Sequence, residues 1–189
     1  MRFTPISILF NNKKQGIPAV LEICVQYINE KSKAFPVELS LVHKMKWVIS
    51  EMLSNSLKHS GTDECILTIS ASADYILIEK KDSGKPLILT EQSSGTKIEW
   101  PLSAISNIDC EIYHNGMDSL RVLSEDTCKA TFYTENLNDA SMPDLLFNIS
   151  EHFGLLIITK SCDRFIYEYD PETNTNLFKS YFTLKHNLV

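Results

Sequence analysis

The feature that most constrains the fold is a change of hydrophobic period at Gly61. Before it, apolar residues recur at helical spacing in two segments, 17–31 and 37–58. After it, two runs rich in β-branched residues, 64–71 and 74–81, have the composition of strands. Glycine adopts positive φ without strain, so Gly61 is suited to end the second helix. The chain is therefore expected to combine helices with a sheet.

The remaining segments add mostly strand-like runs. Strands are predicted at 3–10, 108–114, 119–125 and 128–135, helices at 142–151 and from 154 to about 163, and a closing hairpin at 164–170 and 176–185. The order is β-α-α-β-β, an insertion, then α-β-β. A length of 189 residues suits one domain with a sizeable core. We therefore predict a single domain over 1–189 that carries a β-rich insertion at 87–142.

Composition narrows the classes of function. The formal net charge is −6, and no run of Lys and Arg offers a nucleic acid a basic surface, so no nucleic-acid partner is predicted. No stretch approaches 18 uninterrupted apolar residues, so no membrane partner is predicted. The five cysteines form no C-x-x-C pair and are odd in number, which favours reduced thiols in a cytoplasmic protein.

A polar stripe interrupts the second helix in the stretch WVISEMLSNSLKHSG. Glu51, Asn55 and His59 are each four residues apart and form one row on a helix, with Lys58 beside it. An amide oxygen suits Mg²⁺, a carboxylate can accept a proton, and Lys and His can neutralise phosphate charge. A solvated helix face explains the same pattern, and both readings stay open on this stretch alone.

A second polar signal follows the two strands, at Asp82-Ser83-Gly84. An Asp at a strand end can accept a hydrogen bond from an exocyclic amine such as that of adenine. Gly84 lets a base approach the backbone without a Cβ in the way. A turn of this kind is common by itself, so it indicates a binding site only because it follows the polar helix and two strands.

In this order the sequence resembles the GHKL (histidine-kinase-like) ATPase superfamily, and within it the anti-sigma-factor serine protein kinases. The residues EMLSNSLKH at 51–59 resemble the family's N-box, and DSGKPL at 82–87 resembles its adenine-binding turn. The stretch GLLIITKSCD at 154–163 is similar to the helix after its second glycine box. The resemblance covers roughly 3–86 and 143–185.

The resemblance implies a fold and a set of site residues. The fold would be α+β: a two-layer α/β sandwich whose mixed, mainly antiparallel sheet carries helices on one face, plus the β-rich insertion. The cofactors would be ATP and Mg²⁺. The implied residues are Glu51 as general base, Asn55 as the Mg²⁺ ligand, and Lys58 and His59 near the phosphates. Asp82 and Gly84 would contact the adenine, and Gly154 and Thr175 would be further nucleotide-binding positions.

The implied activity is transfer of the ATP γ-phosphate to a protein, as in an ATP-dependent serine/threonine kinase. By analogy the partner would be a sigma factor or a phosphorylatable antagonist, and the chain would form a homodimer. The alternative is a catalytically weak or inactive protein-interaction module, since His152 stands where the family has glycine and 70 positions separate Gly84 from Gly154. A sensor-kinase catalytic domain is a third hypothesis, disfavoured because a strand of the fold begins close to Met1.

Overall fold

The computed structural model describes residues 3–33, 37–104, 107–137 and 152–184. The helix predicted at 142–151 lies outside the described residues. The described helices are α1 (Ile17–Lys31), α2 (Leu39–Asn55) and α3 (Phe153–Ser161). The bounds of α1 match the prediction, with Pro18 in its first turn, where a missing N–H costs no hydrogen bond.

The end of α2 differs from the predicted continuous helix. After Asn55 the chain widens into a π-helical turn, Ser56–Ser60, which Gly61 ends in the left-handed conformation at φ 70°. Glycine is needed here because a Cβ is strained at positive φ. The π turn changes the angular spacing of the last side chains of the polar stripe.

The strands account for most of the regular structure. They are β1 (Ile6–Phe10), β2 (Cys65–Ala71), β3 (Tyr75–Asp82), β4 (Ile88–Thr90), β5 (Lys97–Glu99), β6 (Ile108–His114), β7 (Asp118–Ser124), β8 (Lys129–Asn136), β9 (Arg164–Asp170) and β10 (Thr175–Thr183). Eight form one sheet in the order β1-β2-β3-β10-β9-β8-β7-β6, and β4 and β5 form a separate two-stranded sheet. Every described pairing is antiparallel.

The predicted fold class is wrong. The described chain is a large antiparallel sheet of eight strands with a small second sheet and three helices, not a two-layer α/β sandwich with helices on one face of a mixed sheet. The physical reason lies in the strands assigned to the insertion. Strand β8 pairs with β9, from Lys129 opposite Glu168 to Phe132 opposite Phe165, so β6 to β8 extend the main sheet. The single domain over 1–189 stays a prediction.

One hydrophobic cluster joins the helices to the sheet. Helix α2 contacts α1 and α3, α1 contacts β1 and β2, and α3 contacts β8 and β9. Because α2 lies between two helices, it buries Val42 and Ile49, whereas Leu41 and Leu57 of its predicted core face are only half-buried. No helix in the described ranges is long and apolar enough to cross a membrane.

Candidate functional site

A cleft of about 240 Å³ opens where the π turn after α2 faces β3, β4, α3 and β10. Its lining divides by chemistry. The polar residues are Asn55, His59, Ser60, Lys80, Asp82, Lys85, His152 and Asn176, and the others are Pro86, Leu87, Ile88, Leu89, Leu155 and Phe178. A concave space lined by apolar side chains and a few polar groups is the usual form of a small-molecule site.

The carboxylate of Asp82 has three hydrogen-bond partners in the cleft. Oδ1 accepts hydrogen bonds from the Gly84 N–H at 2.9 Å and the Asn176 Nδ2 at 3.0 Å. Oδ2 lies 2.5 Å from Lys80 Nζ in an ion pair. Both side chains of the pair are buried, at 5% and 2% exposure. Strand alternation places Lys80 and Asp82 on the same face of β3, toward the cleft.

Asn176 ties the turn after β3 to the main sheet. Its Nδ2 lies within hydrogen-bond distance of the carbonyls of Gly84 and Lys85, at 3.1 and 3.2 Å, as well as of Asp82. Its Oδ1 accepts a hydrogen bond from Tyr167 at 2.7 Å. The Tyr167 hydroxyl in turn accepts one from the Leu87 N–H, and burial raises the pKa of this tyrosine. The network fixes the backbone from 84 to 87 at the base of the cleft.

Gly84 is required by close backbone packing. A Cβ at this position would lie 2.8 Å from the Ser60 carbonyl carbon and 2.9 Å from Asp82 Oδ1. The Lys85 N–H donates to the Ser60 carbonyl at 3.0 Å, so the turn after β3 is joined directly to the π turn. The absence of a side chain at 84 therefore brings the two predicted motifs into contact.

The polar stripe divides at the π turn. Asn55 is half-buried and His59 is exposed, and both line the cleft. Lys58 is exposed and does not line it. The structure therefore places two of the predicted phosphate-end residues at the cleft and turns the third toward solvent.

Glu51 lies one turn before Asn55 and outside the residues that line the cleft. A Cβ added to Gly154 would lie 2.7 Å from Glu51 Oε2 and 3.4 Å from Asn55 Oδ1. Gly154 is in the first turn of α3, so the Glu51 carboxylate is close to the positive end of that helix dipole. This position can stabilise α3 as well as serve chemistry at the mouth of the cleft.

The structure places Thr175 next to the cleft but not in its lining. Its hydroxyl hydrogen-bonds with that of Thr173, in the turn between β9 and β10. The following residue, Asn176, is 1% exposed and makes the contacts to Asp82 and Gly84. Sequence reasoning missed Asn176 and Lys80. Alternation along β3 from Asp82 would have placed Lys80 on the cleft face, but nothing in the pattern indicates that a lysine is buried there.

Comparison of the sequence with models of known protein families finds no match, and no curated protein matches it. The assignment of a function therefore depends on the residues and geometry described above.

Proposed function

We propose that the chain is an ATP-binding regulatory protein of the anti-sigma-factor serine kinase type, with its nucleotide in the cleft between the π turn and β3. The observation that carries the proposal is spatial. Asn55 and His59 of one motif and Asp82 of the other line a single cleft, and Gly84 joins the two motifs through contact with Ser60. The resemblance of these residues to the GHKL motifs supports ATP and Mg²⁺ as the ligands.

The donor and acceptor set at the base of the cleft fits an adenine. A carboxylate offers about four lone-pair sites. Three donors already approach Asp82, two at Oδ1 and one at Oδ2, so Oδ2 keeps a site for one exocyclic N–H. The apolar wall at Leu87 and Leu89 and the ring of Phe178 provide a surface for the faces of a base.

The outer part of the cleft fits the phosphates. Asn55 supplies one oxygen, which is sufficient for Mg²⁺ because the phosphates and water provide most of its ligands. His59, Lys85 and His152 also line the cleft and can donate hydrogen bonds to phosphate oxygens. A volume of about 240 Å³ is at the small end for ligand pockets, so it suits a base, with the phosphates at the exposed mouth.

In the kinase form of the proposal, Glu51 accepts the proton of a serine or threonine hydroxyl on a regulatory protein partner while the γ-phosphate is transferred. A second candidate, a protein-interaction module that binds nucleotide without transfer, is favoured by a specific observation. Glu51 lies outside the cleft lining, beside the first turn of α3, where a structural role accounts for it.

Calorimetric titration of ATP, with and without Mg²⁺, tests the proposal. We expect micromolar, Mg²⁺-dependent binding by the wild type and loss of the Mg²⁺-dependent part in Asn55→Ala. The matched control is Asn29→Ala, the same substitution at an exposed position of α1 that does not line the cleft. No binding at millimolar ATP, or an equal loss in both variants, would contradict the proposal.

A further inference from the structure

Lys80 is not part of the motifs that suggested nucleotide binding, yet it forms a buried ion pair with Asp82 and lines the same cleft. A lysine is rarely 4% exposed, and an ion pair removed from water costs desolvation free energy at both partners. A pair of apolar residues would fill this part of β3 at lower cost. The position therefore suggests that the pair has a recognition role.

The ammonium group is held in place but keeps donors. A lysine ammonium has three N–H donors and no acceptor. One donates to Asp82 Oδ2 at 2.5 Å, and the ammonium stands 4.5 Å from the centroid of the Phe178 ring, which attracts it by a cation–π interaction. Within the described part of the chain, Lys80 makes no other side-chain hydrogen bond. The cleft thus presents a donor and an acceptor side by side.

We propose that Lys80 and Asp82 read two adjacent atoms of an adenine edge. Asp82 Oδ2 accepts from the 6-amine, and the Lys80 ammonium donates to the neighbouring ring nitrogen N1. This inference rests on the proposed function, and it adds a specificity-determining residue to the same site.

The occupancy of Asp82 Oδ1 favours adenine over guanine. Guanine presents an acceptor at position 6 followed by two donors, the ring N1–H and the 2-amine. A carboxylate pairs with both donors only through two free oxygens. Oδ1 is already approached by the Gly84 N–H and by Asn176 Nδ2, so the guanine 2-amine would have no acceptor beside Asp82. A buried donor without a partner lowers affinity.

The test compares ATP, 1-deaza-ATP, in which a C–H replaces N1, and GTP as ligands of the wild-type protein. Loss of a hydrogen bond to a charged group predicts at least about 10-fold weaker binding of 1-deaza-ATP than of ATP. GTP should also bind more weakly than ATP. Equal affinity for ATP and 1-deaza-ATP, or tighter binding of GTP, would overturn the inference while leaving nucleotide binding established. Failure of every nucleotide to bind would overturn the proposed function as well.

A variant assigns the effect to the lysine. In Lys80→Met we expect weaker ATP binding and a ratio of ATP to 1-deaza-ATP affinity close to one. The control Lys81→Met removes the neighbouring, exposed lysine on the other face of β3 and should keep the ratio. Since Lys80→Met leaves Asp82 buried without its cation, a thermal unfolding experiment must first check that the variant is folded. If it is not folded, the wild-type comparison decides alone.

Discussion

Replacement of Asn176 by alanine should lower the free energy of unfolding, because the Asn176 side chain holds the turn after β3 on the sheet. Alanine removes the donor to Asp82 Oδ1, the contacts to the carbonyls of Gly84 and Lys85, and the acceptor for Tyr167. Asn176 is 1% exposed, so water does not replace these partners at its position without opening the structure.

The magnitude follows from the bonds that are lost. A hydrogen bond to a charged group contributes about 1.5–3 kcal/mol, and a neutral one about 0.5–1.5 kcal/mol. One charged partner and one neutral tyrosine partner therefore predict a decrease of about 3 kcal/mol in the free energy of unfolding, before the shared carbonyl contacts are counted. Urea denaturation followed by circular dichroism measures this quantity.

Two further variants separate hydrogen bonding from packing. Asn176→Asp keeps the shape but turns the donor into an acceptor that faces Asp82, so it should be at least as destabilising as alanine. Thr175→Ala, at the adjacent half-buried position, should change the free energy of unfolding by less than about 1 kcal/mol. Wild-type stability of Asn176→Asp, or equal effects of the two alanine variants, would refute this account of the network.

Three other predictions concern separate residues. Gly84→Ala should lower the free energy of unfolding by about 1–3 kcal/mol and weaken ATP binding, because its Cβ meets the Ser60 backbone. The control Gly16→Ala places its Cβ 3.2 Å from the Phe10 ring and touches no backbone, so urea denaturation should show a smaller decrease. Glu51→Gln should bind ATP as the wild type does but lose phosphate transfer to a partner, and retained transfer in a radiolabelled ATP assay would disprove its role as the base. Burial raises the pKa of the Cys24 thiol from 9.0 to about 12, so iodoacetamide at pH 8 should alkylate it on the order of 10³-fold more slowly in folded than in urea-unfolded protein. The unfolded thiol ionises first, so this group should also lower stability as the pH rises above about 9, and a flat stability from pH 8 to 11 would argue against it.

The local elements were largely predictable because hydrophobic period and turn residues act over short distances. Helix α1 has its predicted bounds, and strands β6 to β9 lie within one or two residues of the predicted runs. The pairing of the strands was not predictable in the same way. The pairing of β8 with β9 joins Lys129 to Glu168 across the sequence, and no local pattern specifies such a contact. That pairing joins strands from the segment 87–142 to the main sheet.

The candidate site shows the same division. The motif residues Asn55 and Asp82 were chosen from sequence, and both line the cleft. Helical spacing placed Lys58 beside them, but Lys58 lies in the π turn and is exposed. The side-chain pattern does not predict a π turn, so the sequence did not indicate this position. The buried Lys80 depends on the combined environment of Asp82 and Phe178, which arises only when β3 and β10 pair.

The most direct test of the central claim is to locate nucleotide on the folded protein. Backbone amide spectra of ¹⁵N-labelled protein should be recorded as Mg²⁺ and ATP are added. We expect shifts concentrated at His59, Gly84, Lys85 and Leu87, with little change at β1 or at the β6–β7 hairpin. Shifts absent at saturating ATP, or confined to residues outside the cleft, would contradict the claim that this cleft is the nucleotide site.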